Sequence, residues 1–180
     1  PGISTGQEGT TGLYVRGGSP DQNLILLDEA PIYNAAHFGG FFSVFNPNSL
    51  KSMDVYKSGF PARFGGRTAA VLDIAIAKPS LDKTKGQIGI GLVSNRFLIN
   101  TPIIKDKLGI LLSGRLAVND WLLPIVSKKL EDIKAKFADG AVKLFYKVNQ
   151  KNTISLSSYY SYDFIQTKIL GSINNKIGRA

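Results

Sequence analysis

Period-two alternation across residues 85–163 is the feature that most restricts this chain. "KGQIGIGLVS" sets Ile88, Ile90 and Leu92 against Gln87, Gly89 and Gly91, and "NRFLINT" sets Phe97 and Ile99 against Arg96, Leu98 and Asn100. "KLGILLSGRL" places Leu108, Ile110 and Leu112 opposite Gly109, Leu111, Ser113 and Arg115. "GAVKLFYKVNQ" opposes Val142, Leu144, Tyr146 and Val148 to Lys143, Phe145 and Lys147. "NTISLSSYYSYDF" opposes Ile154, Leu156, Ser158 and Tyr160 to Thr153, Ser155, Ser157 and Tyr159. Successive side chains of a strand point to opposite faces, so each run predicts a strand with one apolar and one polar face.

A soluble antiparallel meander and a membrane barrel both satisfy that pattern. The connections carry further information. Pro102 to Lys105 and Gln150-Lys151-Asn152 are short turns, whereas residues 119–139 form a long excursion. Short turns alternating with long connections are the habit of outer-membrane barrels. Within the excursion, "WLLPIVSKKLEDIKAKF" puts Leu122, Ile125, Val126, Leu130, Ile133 and Phe137 on one helical face. Tyr159, Tyr160 and Tyr162, near a strand end, suit an aromatic girdle.

The first eighty residues have a different texture, with a break near Lys78-Pro79-Ser80. "TGLYVRGG" and "NLILLDEAPIY" read as short strands bounded by Gly and Pro. "SLKSMDVYKSG" reads as a helical turn followed by a strand, with capping chemistry in Asn46-Pro47-Asn48-Ser49. "AAVLDIAIA" is apolar on both faces and predicts a buried strand. Six Lys/Arg balance six Asp/Glu in residues 1–80, so the net charge of +9 lies entirely in residues 81–180. Those lysines are scattered or sit at turns (Lys105, Lys107, Lys151), which argues against nucleic acid as the partner. The abrupt start at Pro1 and the end at Gly178-Arg179-Ala180 suggest a fragment.

Catalytic chemistry finds little support. The chain has no cysteine, which excludes disulfides, thiolate zinc sites and thiol catalysis. His37 is the single histidine. Asp28 and Glu29, adjacent on an expected strand, point to opposite faces and cannot share a substrate. Ser19 in "GGSPD" lacks nucleophile-elbow spacing, no Walker lysine follows a glycine loop, and no ligand cluster for a metal appears. The expectation is a non-enzyme without cofactor or metal.

Three stretches call for explanation. "VRGGSPDQN" and "RFGGRT" both place arginine beside paired glycines: Arg16 with Gly17 and Gly18, and Arg63 and Arg67 around Gly65 and Gly66. The glycines permit turns, and the arginines call for carboxylates that the local sequence does not supply in sufficient number. "YNAAHFGGFFSVFNP" gathers Tyr33, His37, Phe38, Phe41, Phe42 and Phe45 around Gly39-Gly40. Such a loop is either a buried patch or a ligand platform.

Taken in order, these segments resemble the plug and early barrel of TonB-dependent outer-membrane receptors. "GLYVRGGSPDQNLILLDEAPIY" is similar to the plug run of V-R-G followed by a strand ending in D-G-x-P, with Asp28-Glu29 in place of Asp-Gly. "SLKSMDVYKSGFPARFGGRTAAVLDI" resembles its helix, strand and glycine-rich return, and "KDKLGILLSGR" looks like an early barrel strand of the Bacteroidetes-type branch. The resemblance implies an α+β plug, a small mixed sheet with short helices, over residues 1–80. Residues 81–180 would then supply the first antiparallel strands of a transmembrane β-barrel of about 22 strands.

The resemblance further implies ligand-gated uptake of a nutrient such as an iron chelate, oligosaccharide, peptide or cobalamin through the Gram-negative outer membrane. TonB would drive it through an N-terminal box, with ExbB/ExbD behind it, and the plug would occlude the lumen. Arg16, Arg63 and Arg67 become candidates for pairing with acids on the barrel wall. Tyr33, Asn34, His37 and Phe38 become candidate apical ligand contacts. The "FFSVFNP" and "FPARFGGR" forms differ from receptors that work with a surface lipoprotein lid, so such a partner is not expected. The topology expected is strands at about 85–94, 96–102, 107–118, up to 150, and 152–163, with the turns at 103–106 and 150–152 periplasmic. A non-transporting envelope subunit and a soluble basic β-protein that binds nucleic acid are the alternatives.

Overall fold

The computed structural model describes residues 3–5, 13–15, 19–37, 42–92, 94–117, 133–167 and 175–179. The chain divides into two compact units, Pro1–Ala77 and Lys78–Ala180. In the first, strands β1 (Ile3–Thr5) and β2 (Leu13–Val15) pair with each other. Next come β3 (Asn23–Leu27), β4 (Ala30–Pro31), β5 (Ala36–His37), β6 (Phe42–Ser43), β7 (Leu50–Tyr56) and β8 (Ala70–Ile76). A four-stranded sheet runs in the order β4-β3-β8-β7, with β3 and β8 parallel and the other pairs antiparallel.

The mixed sheet agrees with the plug expectation, but the helices are reduced. Among the described residues of this unit, helix is limited to two 3-10 turns, Pro20–Gln22 and Pro47–Ser49. The second starts as its sequence predicts: Asn46 accepts from the Asn48 amide at 3.2 Å, and proline occupies the first turn. It stops at once because Leu50–Tyr56 pairs with β8. β8 is the central strand, flanked by β3 and β7, which explains its apolar residues on both faces.

One face of this sheet buries Leu26 and Val71 with Phe64, and Leu24, Tyr56 and Phe60 pack against them. On the other face Leu27, Ile74 and Ile76 are buried. Asp28 and Glu29 are not the strand residues that the sequence suggested. They form the two-residue turn that lets Leu27 pair with Ala30. Both take left-handed conformations, φ 47° and 71°, because a tight hairpin needs positive φ at both central positions. Asp28 also accepts from the Ile76 amide at 2.9 Å and so ties the turn to β8.

The second unit is a six-stranded sheet of order β14-β13-β12-β11-β10-β9, antiparallel throughout. Its strands are β9 (Lys85–Gly89), β10 (Asn95–Ile104), β11 (Leu108–Ala117), β12 (Ile133–Lys147), β13 (Thr153–Thr167) and β14 (Asn175–Arg179). The sheet is open, with β9 and β14 at its edges, and so does not itself support a count of about 22 strands. The helical reading of 121–137 fails at its C-terminal end. Ile133 and Phe137 lie in β12, where Ile133, Ala135 and Phe137 alternate with Lys134 and Lys136. A spacing of four satisfies a helical face and a strand face alike, and pairing with β13 decides for the strand. Residues 118–132 lie outside the described residues.

A strap at the start of the unit crosses β11. The Ser80 amide donates to Asn100 Oδ1, and the Asp106 amide donates to the Leu81 carbonyl at 2.8 Å. Gly109 permits this passage: a Cβ there would stand 2.4 Å from the Ser80 carbonyl oxygen and 3.0 Å from Pro79.

Two outcomes are expected. Glu29→Gly relieves a left-handed residue and should slow hydrogen exchange of the β3, β4 and β8 amides about fivefold, corresponding to ~1 kcal/mol; unchanged exchange would refute strain at this turn. Gly109→Ala should lift the strap and speed tryptic cleavage after Lys83, while an unaltered digestion rate would mean that the strap does not need this glycine.

Candidate functional site

The return loop between β7 and β8 is held by its aromatic residues. Phe64 is buried on the sheet, with its ring centroid 5.4 Å from that of Tyr56, and Phe60 packs beside it. The Arg63 guanidinium lies 4.6 Å from the Phe64 centroid and 3.6 Å from Asp73 Oδ2. Arg67 donates to the Gly66 carbonyl, and its charge helps hold the Asp21 carboxyl below its ordinary range, where the Ser19 hydrogen bond is the larger cause. Asp73, ten positions along the chain, is thus a carboxylate partner of Arg63 inside the first unit. Both arginines are exposed, so these contacts add little stability. Arg16, Gly17 and Gly18 lie outside the described residues.

The glycine pair of the loop serves conformation rather than close packing. Gly66 has φ +81°, and a Cβ at Gly65 or Gly66 would meet nothing within 4 Å. The aromatic stretch 33–47 separates into two environments. Tyr33 is 87% exposed and Asn34 is exposed beside it. His37, in β5 opposite Phe42, is fully buried and partnered, with Val44 and Phe45 buried nearby in sequence. His37 is therefore not a surface contact in company with Tyr33. Phe38 lies outside the described residues.

In the second unit, register joins side chains that the sequence leaves apart. Arg115 of β11 lies opposite Asp139 of β12, which lies opposite Ser161 of β13. Arg115 donates through Nε at 2.9 Å and through Nη2 to Asp139 Oδ2. Tyr159 donates its hydroxyl to Oδ1 at 3.1 Å, and the Ser161 hydroxyl donates at 3.3 Å. The Arg115 guanidinium also stacks 4.9 Å from the Phe137 ring centroid. The side chains of Arg115 and Asp139 are 11% and 3% exposed. Leu111, Ser113, Phe137 and Phe145 are buried on the same face, and Ser113 Oγ has no partner among the described residues.

The opposite face is apolar and open. Ile154 and Leu156 of β13 are 61% and 64% exposed, and Ile88, Phe97, Val142 and Tyr160 are exposed on their strands. A sheet folded against a water-soluble core buries its apolar face and solvates its charges. Here the charged cluster is buried while the apolar face is exposed. Alternation also divides the tyrosines: Tyr160 and Tyr162 belong to the apolar face, but Tyr159 points to the other and binds Asp139. Tyr159 is therefore not part of a girdle.

Comparison with known families bears on the first unit. Residues 1–71 match the TonB-dependent Receptor Plug Domain. The matched stretch runs from β1 into β8 and includes the aromatic-anchored return loop. A plug domain of this kind implies receptor-like function at the outer membrane, in general association with TonB-type machinery. Among the described residues no helix is long and apolar enough to cross a membrane, a statement that does not bear on strands.

The Arg115–Asp139 pair was missed as a site in the sequence because 24 residues separate the partners. Asp139→Ala leaves a buried guanidinium uncompensated and should destabilise the sheet by about 3 kcal/mol or more, read as a lower dissociation temperature of the folded full-length band on gels. The double variant Arg115→Leu, Asp139→Ala should recover much of that loss; equal stability of single and double variants would contradict a buried pair.

Proposed function

We propose that this chain is the plug and first barrel strands of a TonB-dependent outer-membrane transporter of the Bacteroidetes-type branch. The observation that carries the reading is the reversed polarity of the six-stranded sheet, adjoining a segment that matches the plug domain. Lipid tolerates an exposed apolar face, and a plugged lumen tolerates buried polar clusters. On this reading the apolar face meets lipid and the Arg115–Asp139 face lines the lumen of a closed barrel of about 22 strands. The plug occludes that lumen. Its displacement, driven through TonB and ExbB/ExbD, admits a ligand such as an iron chelate, oligosaccharide, peptide or cobalamin. Tyr33 and Asn34, exposed near the β4–β5 connection, are the proposed ligand contacts. The protein acts by binding and passage rather than catalysis.

Cell fractionation of the full-length protein tests this directly. Sedimentation with outer membrane, a band whose mobility changes on heating, and TonB-dependent uptake of one nutrient are expected. A soluble protein with no heat-modifiable band would overturn the reading, and a heat-modifiable protein without uptake would favour a non-transporting receptor subunit.

A further inference from the structure

Two adjoining turns close one end of the six-stranded sheet. The β10–β11 turn spans residues 105–107, and the β12–β13 turn spans residues 148–152. They are neighbours: the Lys147 amide donates to the Lys107 carbonyl at 2.8 Å. The turns present Lys105, Lys107 and Lys151, all exposed, against Asp106 as their acidic residue. The excursion 118–132, which joins the opposite ends of β11 and β12, holds two Lys and three Asp/Glu in its sequence. The two short turns thus carry a net basic charge.

Apolar side chains surround these lysines. Ile103 and Ile104 precede the first turn at 54% and 51% exposure, and Val148 and Ile154 are exposed at the second. The Lys107 ammonium reaches back to 5.7 Å from the Tyr146 ring centroid, at the edge of the apolar face. Internal hydrogen bonds shape the second turn: Asn149 Oδ1 accepts from the Lys151 and Asn152 amides at 2.9 and 2.8 Å, so Lys151 has a defined position. Lysines with apolar stems above exposed aliphatic residues and a tyrosine are the chemistry of a bilayer boundary, where ammonium groups reach the headgroups.

We infer that these two turns form a collar that binds the phosphate headgroup of an anionic phospholipid, such as phosphatidylglycerol, in the leaflet at the short-turn end of the barrel. The inference rests on the barrel reading above and adds a lipid class and the residues that select it. The three ammonium groups supply charge, and Ile103, Ile104, Val148 and Ile154 supply the surface for the upper acyl chain. A zwitterionic phospholipid meets the same apolar surface without net charge complementarity, so the collar discriminates between them.

The test uses the full-length protein extracted from outer membrane in mild detergent. Native mass spectrometry counts retained phosphatidylglycerol and phosphatidylethanolamine, and gel mobility after graded heating reports the effect of each added lipid. The variant K105Q/K107Q/K151Q alters exposed side chains of similar length. It should lose about a hundredfold of its retained phosphatidylglycerol, given roughly fivefold per basic residue at an anionic surface, with phosphatidylethanolamine unchanged. If it yields no heat-modifiable band, the turn-tip pair K105Q/K151Q should show a smaller loss in the same direction. Equal phosphatidylglycerol retention by wild type and a folded variant overturns the collar. So does inorganic phosphate that reproduces the full thermal shift, which would indicate a free-anion site. A wild-type protein without a heat-modifiable band overturns the barrel reading itself, and the collar with it, so the two failures are distinguishable.

Discussion

Register across β11, β12 and β13 is the constraint on which the second unit depends. A slip of one residue would exchange the faces of a whole strand. Asp139 would move to the apolar side, Arg115 would lose its partner, and Tyr159 and Tyr160 would trade roles. Two opposed penalties hold the register. A buried unpaired guanidinium is costly, and so is a charged side chain on the apolar face, which the proposed function turns to lipid. The Arg115–Asp139 pair therefore contributes less as net stabilisation than as a penalty on every wrong pairing. Tyr159 and Ser161 complete that effect by occupying the second carboxylate oxygen.

The first unit reaches a defined structure by other means. Its sheet has four strands, two of them parallel, and one face is covered by a loop rather than by a helix. Phe60 and Phe64 supply the apolar cover, and Gly59 and Gly66 supply the left-handed turns that bring those rings down. Arg63 and Arg67 sit at the solvent side of this packing, Arg63 close to Asp73 and Arg67 bonded to the Gly66 carbonyl. A loop anchored by two aromatic rings and a weak surface ion pair has a defined shape of its own. That property suits a segment that must move as a body and return, as the proposed transport cycle requires.

Much of this architecture was readable in the residues. Strict alternation marked five strands of the second unit, although β12 starts at Ile133 inside the expected excursion and β9 stops at Gly89, and Asn46-Pro47 marked the start of a helical turn. The ordered plug motifs led to a family that the match over residues 1–71 supports. Errors arose where one local pattern admits two structures. Ile133 and Phe137 fit a helix and a strand equally. Asp28-Glu29 reads as strand because glutamate is uncommon at positive φ, yet the hairpin places it there. His37 lies among residues that look like a surface loop, and its burial depends on pairing with β6.

The sequence by itself determined the strand periodicity, the division of each strand into an apolar and a polar face, the places where the chain turns, and the excess of lysine in the second half. These properties are local, set by the tetrahedral alternation of the backbone and by the conformational limits of glycine, proline and asparagine. Only the tertiary structure decided which face is buried, which carboxylate answers each arginine, and which lysines share one end of the sheet. Those outcomes depend on pairing between residues 24 to 48 positions apart, as for Arg115 with Asp139 and Asp28 with Ile76 and Asn23 with Ala70. Chain closure over such distances is governed by the free energy of the whole sheet and leaves no mark in a short window of sequence.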